Sequence, residues 1–412
     1  MLPNRLKYGW LAVTACLSLP LPAAEWVAEP SIQLRGEYND NIRLTNEDHD
    51  STWAATVDPR LRLMRRTELW DLGATARLRG TRYTGERQLD TVDRFLDANL
   101  QRRFLRGSFD ANAGYQRDTT LQQELLDQDT GLVTGKVDRT SRNLRMAGRG
   151  MLSERTSLEA SLSWRDVEYG ASTRGNLLDY DYLNPSLQLS HQLSPKTRLF
   201  GVLSHSRLEY DTASEFESKT DSLQLGASHE FTETWTLSGS IGSRRTRTSS
   251  LVQVPIPRPG FEIFFPFIYD TALEPRDSRT TGLVYNLNLN RELETGNIRL
   301  SASRSVMPSS TGSETDSTNL TLEFDHRFST QLSTRLAASY LQSETVGGTR
   351  TLADATRYRL APSLSWRLDR DLALRAGYIY THIERDTTNR DADSHAVFVS
   401  LDYSWPRMAV SR

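Results

Sequence analysis

Apolar and polar residues alternate with a period of two along most of the chain after residue 25. In residues 157–165, for example, apolar side chains occupy every second position, namely Leu158, Ala160, Leu162 and Trp164. The same pattern recurs in residues 32–38, 187–193, 223–231, 283–289 and 358–368. Because successive side chains of a strand point to opposite faces, each segment predicts a strand with one apolar and one polar face.

The lengths of these segments and of their connections favour a membrane barrel over a soluble sandwich. The segments run to about 10–14 residues, longer than the usual 5–6 and sufficient for a tilted strand to cross a bilayer. Tight connections near residues 66, 154, 195, 233, 295 and 370 alternate with long ones, which include 118–138, 170–179, 249–277 and 343–355. Tight turns on one side and long loops on the other are typical of outer-membrane barrels.

The number of segments predicts the architecture. Counting from Pro30 indicates about 18 strands in nine hairpins, an even number that returns the C-terminus to the N-terminal side. Strands running from tight turns toward long loops are expected to start near residues 30, 69, 107, 157, 198, 235, 297, 332 and 372. We therefore predict an all-β, transmembrane antiparallel up-and-down β-barrel with short periplasmic turns and long extracellular loops.

Aromatic residues occur at two levels, as expected for the two interface girdles of a membrane barrel. At the long-loop ends of the strands stand Tyr38, Tyr83, Tyr115, Tyr169, Tyr210, Tyr340 and Tyr380. At the tight-turn ends stand Trp70, Phe104, Phe231, Trp235, Phe328 and Trp366. Tyr83 and Tyr169 are out of phase with the apolar residues before them, so bulges or inward-pointing rings are alternatives at these two positions.

The amino terminus has the layout of a secretory signal peptide. Arg5 and Lys7 precede an apolar run from Trp10 to Leu21, and small residues lead to a cleavage site predicted after Ala24. This interpretation divides the chain into a signal peptide at 1–24 and an outer-membrane barrel at 25–412, located in the bacterial outer membrane. An alternative is that Cys16, which ends a lipobox-like stretch, is lipidated.

Composition excludes several other classes of protein. No segment after the leader approaches the roughly 20 apolar residues of a spanning helix. A single cysteine excludes a disulfide scaffold, and a net charge of −2 gives no reason to expect a nucleic-acid partner. No phosphate loop, nucleophile elbow or zinc-protease motif is present, so we expect no enzymatic activity, no cofactor and no metal site. His191, His229 and His326 precede tight turns in the apolar phase, which favours interfacial positions over catalytic ones.

Residues at the end of the first strand resemble a known family. Tyr38-Asn39-Asp40-Asn41-Ile42 is similar to the Asp-Asn-aliphatic stretch of the putative β-barrel porin 2 family, and the layout of about 390 barrel residues without an added domain agrees with it. The resemblance implies an outer-membrane barrel. Some members are linked to exopolysaccharide biosynthesis and export, which implies polysaccharide and periplasmic export components as candidate partners beside outer-membrane lipid.

The predicted inner face is rich in arginine. Lysine occurs only at Lys7, Lys136, Lys196 and Lys219, and arginine supplies the rest of the 50 basic residues. The arginines expected to line the lumen are Arg35, Arg62, Arg77, Arg79, Arg103, Arg145, Arg149, Arg165, Arg299, Arg359, Arg367 and Arg375. Guanidinium groups bind carboxylate or phosphate in two parallel hydrogen bonds, so this wall could conduct anions. Alternatively, the arginines pair with lumenal acids such as Glu37, Glu159, Glu323 and Asp402 in a ladder that stiffens the wall.

The connection at 249–277 combines many aromatic residues with prolines. We expect it to fold into the mouth as a constriction or to cover the mouth against a partner. The alternative is two extended strands that reach above the membrane and end in an apolar tip. The constriction candidates are Phe261, Phe264, Phe265, Phe267 and Tyr269.

Three functions agree with these patterns. The first is a channel that passes or helps to export a polysaccharide or oligosaccharide, which could be anionic. The others are a general or anion-selective diffusion porin and a closed barrel that docks a partner. A lipid-modifying outer-membrane enzyme is the least favoured alternative.

Overall fold

The computed structural model describes residues 26–46, 49–123, 136–170, 177–212, 216–257, 269–310, 312, 314–346, 354–385 and 391–410. The predicted signal peptide and Cys16 lie outside these residues. All strands belong to one antiparallel sheet, with the following bounds: β1 Trp26–Asn39, β2 Thr52–Arg66, β3 Trp70–Tyr83, β4 Thr91–Phe104, β5 Gly107–Thr119, β6 Asp138–Met151, β7 Thr156–Tyr169, β8 Tyr180–Ser194, β9 Thr197–Tyr210, β10 Glu217–Thr232, β11 Trp235–Pro257, β12 Tyr269–Leu293, β13 Gly296–Pro308, β14 Glu314–Arg327, β15 Leu332–Val346, β16 Ala355–Arg367, β17 Leu372–Arg385, β18 Ala392–Ser404 and β19 Met408–Val410.

Pairing between the first and last strands closes the sheet into a barrel. β1 pairs with β2 on one side and with β18 on the other, from Ser31 opposite Ser404 to Asn39 opposite Ala396. The short β19 continues this ladder, because Met408 and Val410 pair with Ala28 and Trp26. The barrel wall therefore has 18 strands, as predicted, and the chain beyond β18 adds a short extension to the closing seam.

The alternating apolar and polar residues of the sequence lie on opposite faces of the barrel wall. The apolar positions of the strands are exposed on one face; Leu225 is 67% exposed, Leu203 56% and Leu96 54%. In a soluble protein this surface would be costly in water, whereas in a barrel it contacts lipid. The opposite face carries the polar residues. The described residues include no helix that is long and apolar enough to span a membrane.

The strand starts and most of the aromatic positions agree with the prediction. The nine strands from tight turn to long loop begin at residues 26, 70, 107, 156, 197, 235, 296, 332 and 372. Phe104, Phe231, Phe328 and Trp366 are each at least 50% exposed on the outer face. Tyr83 and Tyr169 point inward and are buried, which was the alternative at these positions. The girdle position predicted for Tyr210 is wrong, since its ring shares the inner phase of Leu208 and is 5% exposed.

β11 and β12 extend beyond the rest of the wall as a two-stranded ribbon. Their ladder reaches Pro257 opposite Tyr269, whereas β10 leaves β11 at Ser249 and β13 leaves β12 at Tyr285. Beyond those points no other strand among the described residues pairs with the outer edge of β11 or β12. Proline is tolerated there because no neighbouring strand needs its missing N–H.

Several connections fold inward at the loop side of the barrel and form two small apolar clusters. The first is built by Leu44, Tyr83, Leu89, Leu121, Ala355, Ile383 and Ala392. The second is built by Val137, Val167, Tyr169, Leu177, Tyr180, Leu208 and Tyr210. Most of the buried apolar side chains therefore lie at the long-loop end of the barrel.

Candidate functional site: the inner wall and mouth

The twelve predicted arginines all lie on strands and share the face opposite the exposed aliphatic side chains. They belong to β1 (Arg35), β2 (Arg62), β3 (Arg77, Arg79), β4 (Arg103), β6 (Arg145, Arg149), β7 (Arg165), β13 (Arg299), β16 (Arg359, Arg367) and β17 (Arg375). Cross-strand register preserves this parity: Arg62 is opposite Thr75, while its neighbour Leu63 is opposite Ala74. Their role in translocation stays a prediction.

A buried carboxylate holds two of these arginines in place. Asp58 is 3% exposed, and Arg77 donates from Nε to both of its carboxylate oxygens at 2.7 and 2.8 Å. Arg79 donates to the same carboxylate at 3.3 Å. Both guanidinium groups also stack on Phe95, with Cζ at 5.0 and 5.4 Å from the ring centroid. Because these contacts already fix the guanidinium groups of Arg77 and Arg79, binding an anion costs little additional side-chain entropy.

Other inner-face arginines pair singly with acids or hydroxyls. Arg35 bonds Glu37 and lies 3.8 Å above the ring of Phe398. Arg299 contacts Glu323 at 3.2 Å. Arg149 and Arg375 donate to serine hydroxyls, and Arg359 lies opposite Ser339. The ion-pair ladder considered from the sequence is therefore present, but only over part of the wall.

Five of the twelve arginines have no carboxylate within 4 Å among the residues that the structure describes: Arg62, Arg103, Arg145, Arg165 and Arg367. All five are exposed, although they lie in the inner phase. An exposed inner side chain meets lumenal solvent. These guanidinium groups are thus available to a solute.

The wall opposite this arginine-rich part is uncharged over its middle. Its inner-phase residues on β8 to β12 include Ser186, Gln188, Ser190, Ser204, Ser222, Gln224, Ser238, Ser240, Asn286 and Asn288. Some bond one another across strands; Ser204 and Ser222 are 2.6 Å apart, and Ser240 donates to Gln224 at 3.0 Å. Hydroxyl and amide groups both donate and accept hydrogen bonds. The lumen therefore has one charged, arginine-rich side and one neutral hydrogen-bonding side.

A seam in the wall allows the β13–β14 hairpin to fold into the mouth. β13 pairs with β12 only from Gly296 to Arg304, whereas β12 pairs with β11 from Tyr269 to Arg291. Beyond Arg304 the upper ends of β13 and β14 pair with each other, and β14 also pairs with β15. The hairpin is thus free to leave the cylinder at this point.

Hydrogen bonds fix the hairpin tip against the inner ends of β8 to β10. Tyr210 Oη donates to the carbonyl of Ser309 at 2.6 Å and accepts from its N–H at 3.0 Å. Ser218 donates to Glu314 at 2.7 Å, and Leu178 N–H donates to Ser310 at 2.9 Å. Ser309, Ser310 and Glu314 are each at most 3% exposed. The tip therefore occupies part of the mouth.

One carboxylate joins the hairpin to the wall through two guanidinium groups. Asp316 on β14 accepts from Arg244 on β11 at 2.6 Å and from Arg304 on β13 at 3.0 and 3.1 Å. Asp316 is 9% and Arg244 5% exposed. Breaking a buried pair of this kind by removing one partner costs about 3–5 kcal/mol, because the other charge stays buried. The sequence alone does not reveal this site, since Asp316 is 72 residues from Arg244 and lies in an unremarkable polar stretch.

The family-like stretch at 38–42 clamps the first loop into the mouth. Asn41 is 1% exposed; its amide nitrogen donates to the carbonyls of Thr45 and Asp393 at 2.7 and 2.8 Å, and its side-chain oxygen accepts from Thr45 at 3.1 Å. Asp40 accepts from the N–H of His395 at 2.7 Å. This turn buries Leu44, whose φ of +46° is a conformation that the clamp must hold.

The predicted constriction residues of the 249–277 segment fall largely outside the described chain. Phe261, Phe264, Phe265 and Phe267 lie outside it, and of Tyr269 only the backbone is described, opposite Pro257. The paired backbone on either side of them agrees with the ribbon alternative. The constriction role of the aromatic tip stays a prediction.

The three histidines expected at the interface have the predicted placement. His191, His229 and His326 lie on the outer face next to tight turns, each beside a threonine hydroxyl. Ser190, the neighbour of His191, is buried on the inner face, so these two side chains do not form the serine–histidine pair that a lipid-modifying enzyme would need.

Together these features define an outer-membrane β-barrel: a closed antiparallel wall, aliphatic outside and charged inside, which lies in the bacterial outer membrane. Sequence comparison agrees with this class. The sequence model of the putative beta-barrel porin 2 family matches residues 21–246 and 262–404, and the chain belongs to that family. No curated protein sequence matches the chain.

Solved structures of similar overall form are outer-membrane proteins. The protein OpdK of Pseudomonas aeruginosa is 14% identical, with a TM-score of 0.44 over 92% of this chain and 99% of that one. OccAB3 of Acinetobacter baumannii is 10% identical, with a TM-score of 0.45 over 93% and 99%. The ferric-catecholate import receptor Fiu of E. coli K12 is 9% identical, with a TM-score of 0.46 over 91% and 81%. Likenesses of this extent carry no information about a substrate.

Proposed function

We propose that this porin-like barrel conducts an anionic oligosaccharide or polysaccharide across the outer membrane, in an export step that periplasmic components assist. The observation that carries the proposal is the division of the inner wall into an arginine-rich side and a neutral side of serine, asparagine and glutamine. This division matches the chemistry of an acidic sugar chain, which bears carboxylates and many hydroxyl groups.

Each side of the wall has a distinct task in this proposal. Exposed guanidinium groups such as Arg145 and Arg165 bind sugar carboxylates in solvent, where single contacts stay weak enough to exchange. Serine and amide groups on β8 to β12 exchange hydrogen bonds with sugar hydroxyls. Many weak sites in series allow a chain to move, since no single contact holds it.

Two alternatives each rest on a particular observation. The five exposed arginines that have no carboxylate within 4 Å among the described residues favour an anion-selective diffusion pore. The inward-folded β13–β14 hairpin favours a closed barrel that docks a partner. We expect no enzymatic activity; hydrolysis of phospholipid by the purified barrel would contradict that expectation.

Current blockade in a planar bilayer tests the proposal. We expect an open, anion-selective channel whose current a polyuronate oligosaccharide interrupts, while a neutral glucan of equal length does not. Replacing Arg145 and Arg165 by glutamine should shorten the blockades, whereas the outward-facing pair R117Q/R142Q should not. Anion selectivity without blockade supports the diffusion pore, and absence of current supports the closed barrel; either result would reject the export channel.

A further inference from the structure

The outer face carries a repeated arginine–tryptophan pair at the tight-turn end. Trp26, Trp70 and Trp235 are the first residues of β1, β3 and β11, and directly opposite them on the next strand lie Arg65, Arg102 and Arg291. The guanidinium carbon lies 5.4, 4.6 and 4.7 Å from the respective tryptophan ring centroid. The same arrangement thus occurs at one level on three separate hairpins.

Three further hairpins have an imidazole at this level. Thr156 and Thr197 are the first residues of β7 and β9 and lie opposite His191 and His229. In each pair the threonine hydroxyl contacts Nδ1 of the histidine, at 3.0 and 2.8 Å. The third pair, Thr295 with His326, has the same contact at 3.3 Å.

The part of the chain that the structure describes provides no counterion for these arginines. Among the described residues, no carboxylate oxygen lies within 4 Å of Arg65, Arg102 or Arg291, and no outward-facing strand residue within four positions of a tight turn is acidic. Carboxylates at this end occupy the inner phase, as Glu230 and Glu292 do, or the turns.

At the long-loop end, by contrast, outward-facing charges of both signs are mixed. Arg142 contacts Asp166 and Glu168 at 2.6 and 3.1 Å, and Arg207 contacts Glu217 at 2.7 Å. The counterions of those arginines are thus supplied by the protein itself. The arginines at the tight-turn end need theirs from outside.

We propose that Arg65, Arg102 and Arg291 bind the phosphates of anionic phospholipids in the periplasmic leaflet of the outer membrane, with the adjacent tryptophan indoles packed beside the same headgroups. The level is the appropriate one, because tight turns are periplasmic and these residues stand at the edge of the aliphatic band. Guanidinium is suited to phosphate, and a tryptophan ring on one side orients it. This lipid site is independent of what passes through the lumen.

Native mass spectrometry of the folded full barrel tests the site. Protein in detergent is mixed with equal amounts of phosphatidylglycerol and phosphatidylcholine with identical acyl chains, and retained lipid is counted. We expect phosphatidylglycerol to be preferred, and each arginine removed to lower its affinity about fivefold. The triple variant R65Q/R102Q/R291Q should therefore lose the preference.

The control is R117Q/R142Q/R207Q, which removes the same charge from the outer face at the other end and should keep the preference. Heat-modifiable gel migration shows that each variant is folded. Equal retention of the two lipids by the unmodified barrel would overturn the proposal whether or not the variants fold. Equal loss in both triple variants would also overturn it, since binding would then follow net charge alone.

Discussion

At the scale of single residues, position within a strand decides which solvent a side chain meets. Leu225 and Gln224 are neighbours on β10, yet Leu225 is 67% exposed on the outer face while Gln224 accepts a hydrogen bond from Ser240 on the inner face. Neighbouring side chains on a strand therefore contact different environments, one the lipid and the next the lumen. A substitution has to be judged by the face it occupies.

A pair of substitutions on β10 measures this difference. Leu225→Arg should lower the free energy of unfolding in lipid vesicles by about 2–4 kcal/mol, because a charge would enter the lipid face. Gln224→Arg is the matched control. It should lower the free energy of unfolding by only about 1 kcal/mol, since one hydrogen bond is lost while the new charge lies in lumenal water. Urea unfolding followed by tryptophan fluorescence gives both values. Equal losses would contradict the assignment of the faces.

Alternation in the sequence was sufficient to predict which face of the barrel the arginines occupy. In each ladder, residues of the inner face lie opposite residues of the inner face on the next strand. Alternation could not predict the partners of these arginines. Asp58 joins Arg77 and Arg79 from 19 and 21 residues away, and this contact depends on which residues the β2–β3 ladder places opposite each other. Tyr210 was misplaced because it was assigned by its level and not by its parity.

At the scale of elements, the β13–β14 hairpin is the clearest departure from a regular cylinder. It leaves β12 beyond Arg304, and contacts with Tyr210, Ser218 and Arg244 hold it in the mouth. These three residues lie on β9, β10 and β11. The hairpin therefore overlaps the inner side of three neighbouring strands.

Neutralising Asp316, which connects the β13–β14 hairpin to Arg244 on the wall, should release the hairpin. Asp316→Asn leaves Arg244 buried without its carboxylate, so we expect weaker docking, with larger or more variable single-channel conductance than the unmodified barrel. Asp369→Asn in a tight turn removes the same charge far from the mouth and should change nothing. Conductance of D316N identical to that of D369N would show that the hairpin does not restrict the path.

Deleting residues 258–268 tests the other proposed constriction. If the aromatic tip narrows the mouth, single-channel conductance should rise; if the segment is a ribbon above the membrane, conductance should stay unchanged. The paired backbone that ends at Pro257 and Tyr269 favours the second result. A rise would contradict the ribbon interpretation.

Local patterns predict strands and turns well, but they do not predict where loops dock. The start of β13 at Gly296 follows from the tight turn before it, whereas the bond between Tyr210 and Ser309 spans 99 residues. The motif at 38–42 marked a family resemblance, yet its clamp role depends on Asp393 and His395 at the far end of the chain.

At the scale of the whole molecule, closure follows from the even number of strands and the pairing of β1 with β18. Tight turns occur at intervals regular enough to predict the number of strands from the sequence. The chain beyond β18 also contributes to closure, because β19 continues the ladder along β1. The central claim is that this closed wall separates lipid outside from water inside.

Single-cysteine labelling along β12 tests that claim most directly. The only native cysteine, Cys16, belongs to the predicted signal peptide. Labelling by a thiol reagent should therefore come from the introduced cysteines alone. Asn286, Leu287, Asn288 and Leu289 are replaced one at a time, and the barrel in vesicles is treated with a charged, membrane-impermeant thiol reagent. We predict that positions 286 and 288 are modified while 287 and 289 are protected. Uniform modification, or modification of the leucine positions alone, would contradict the account.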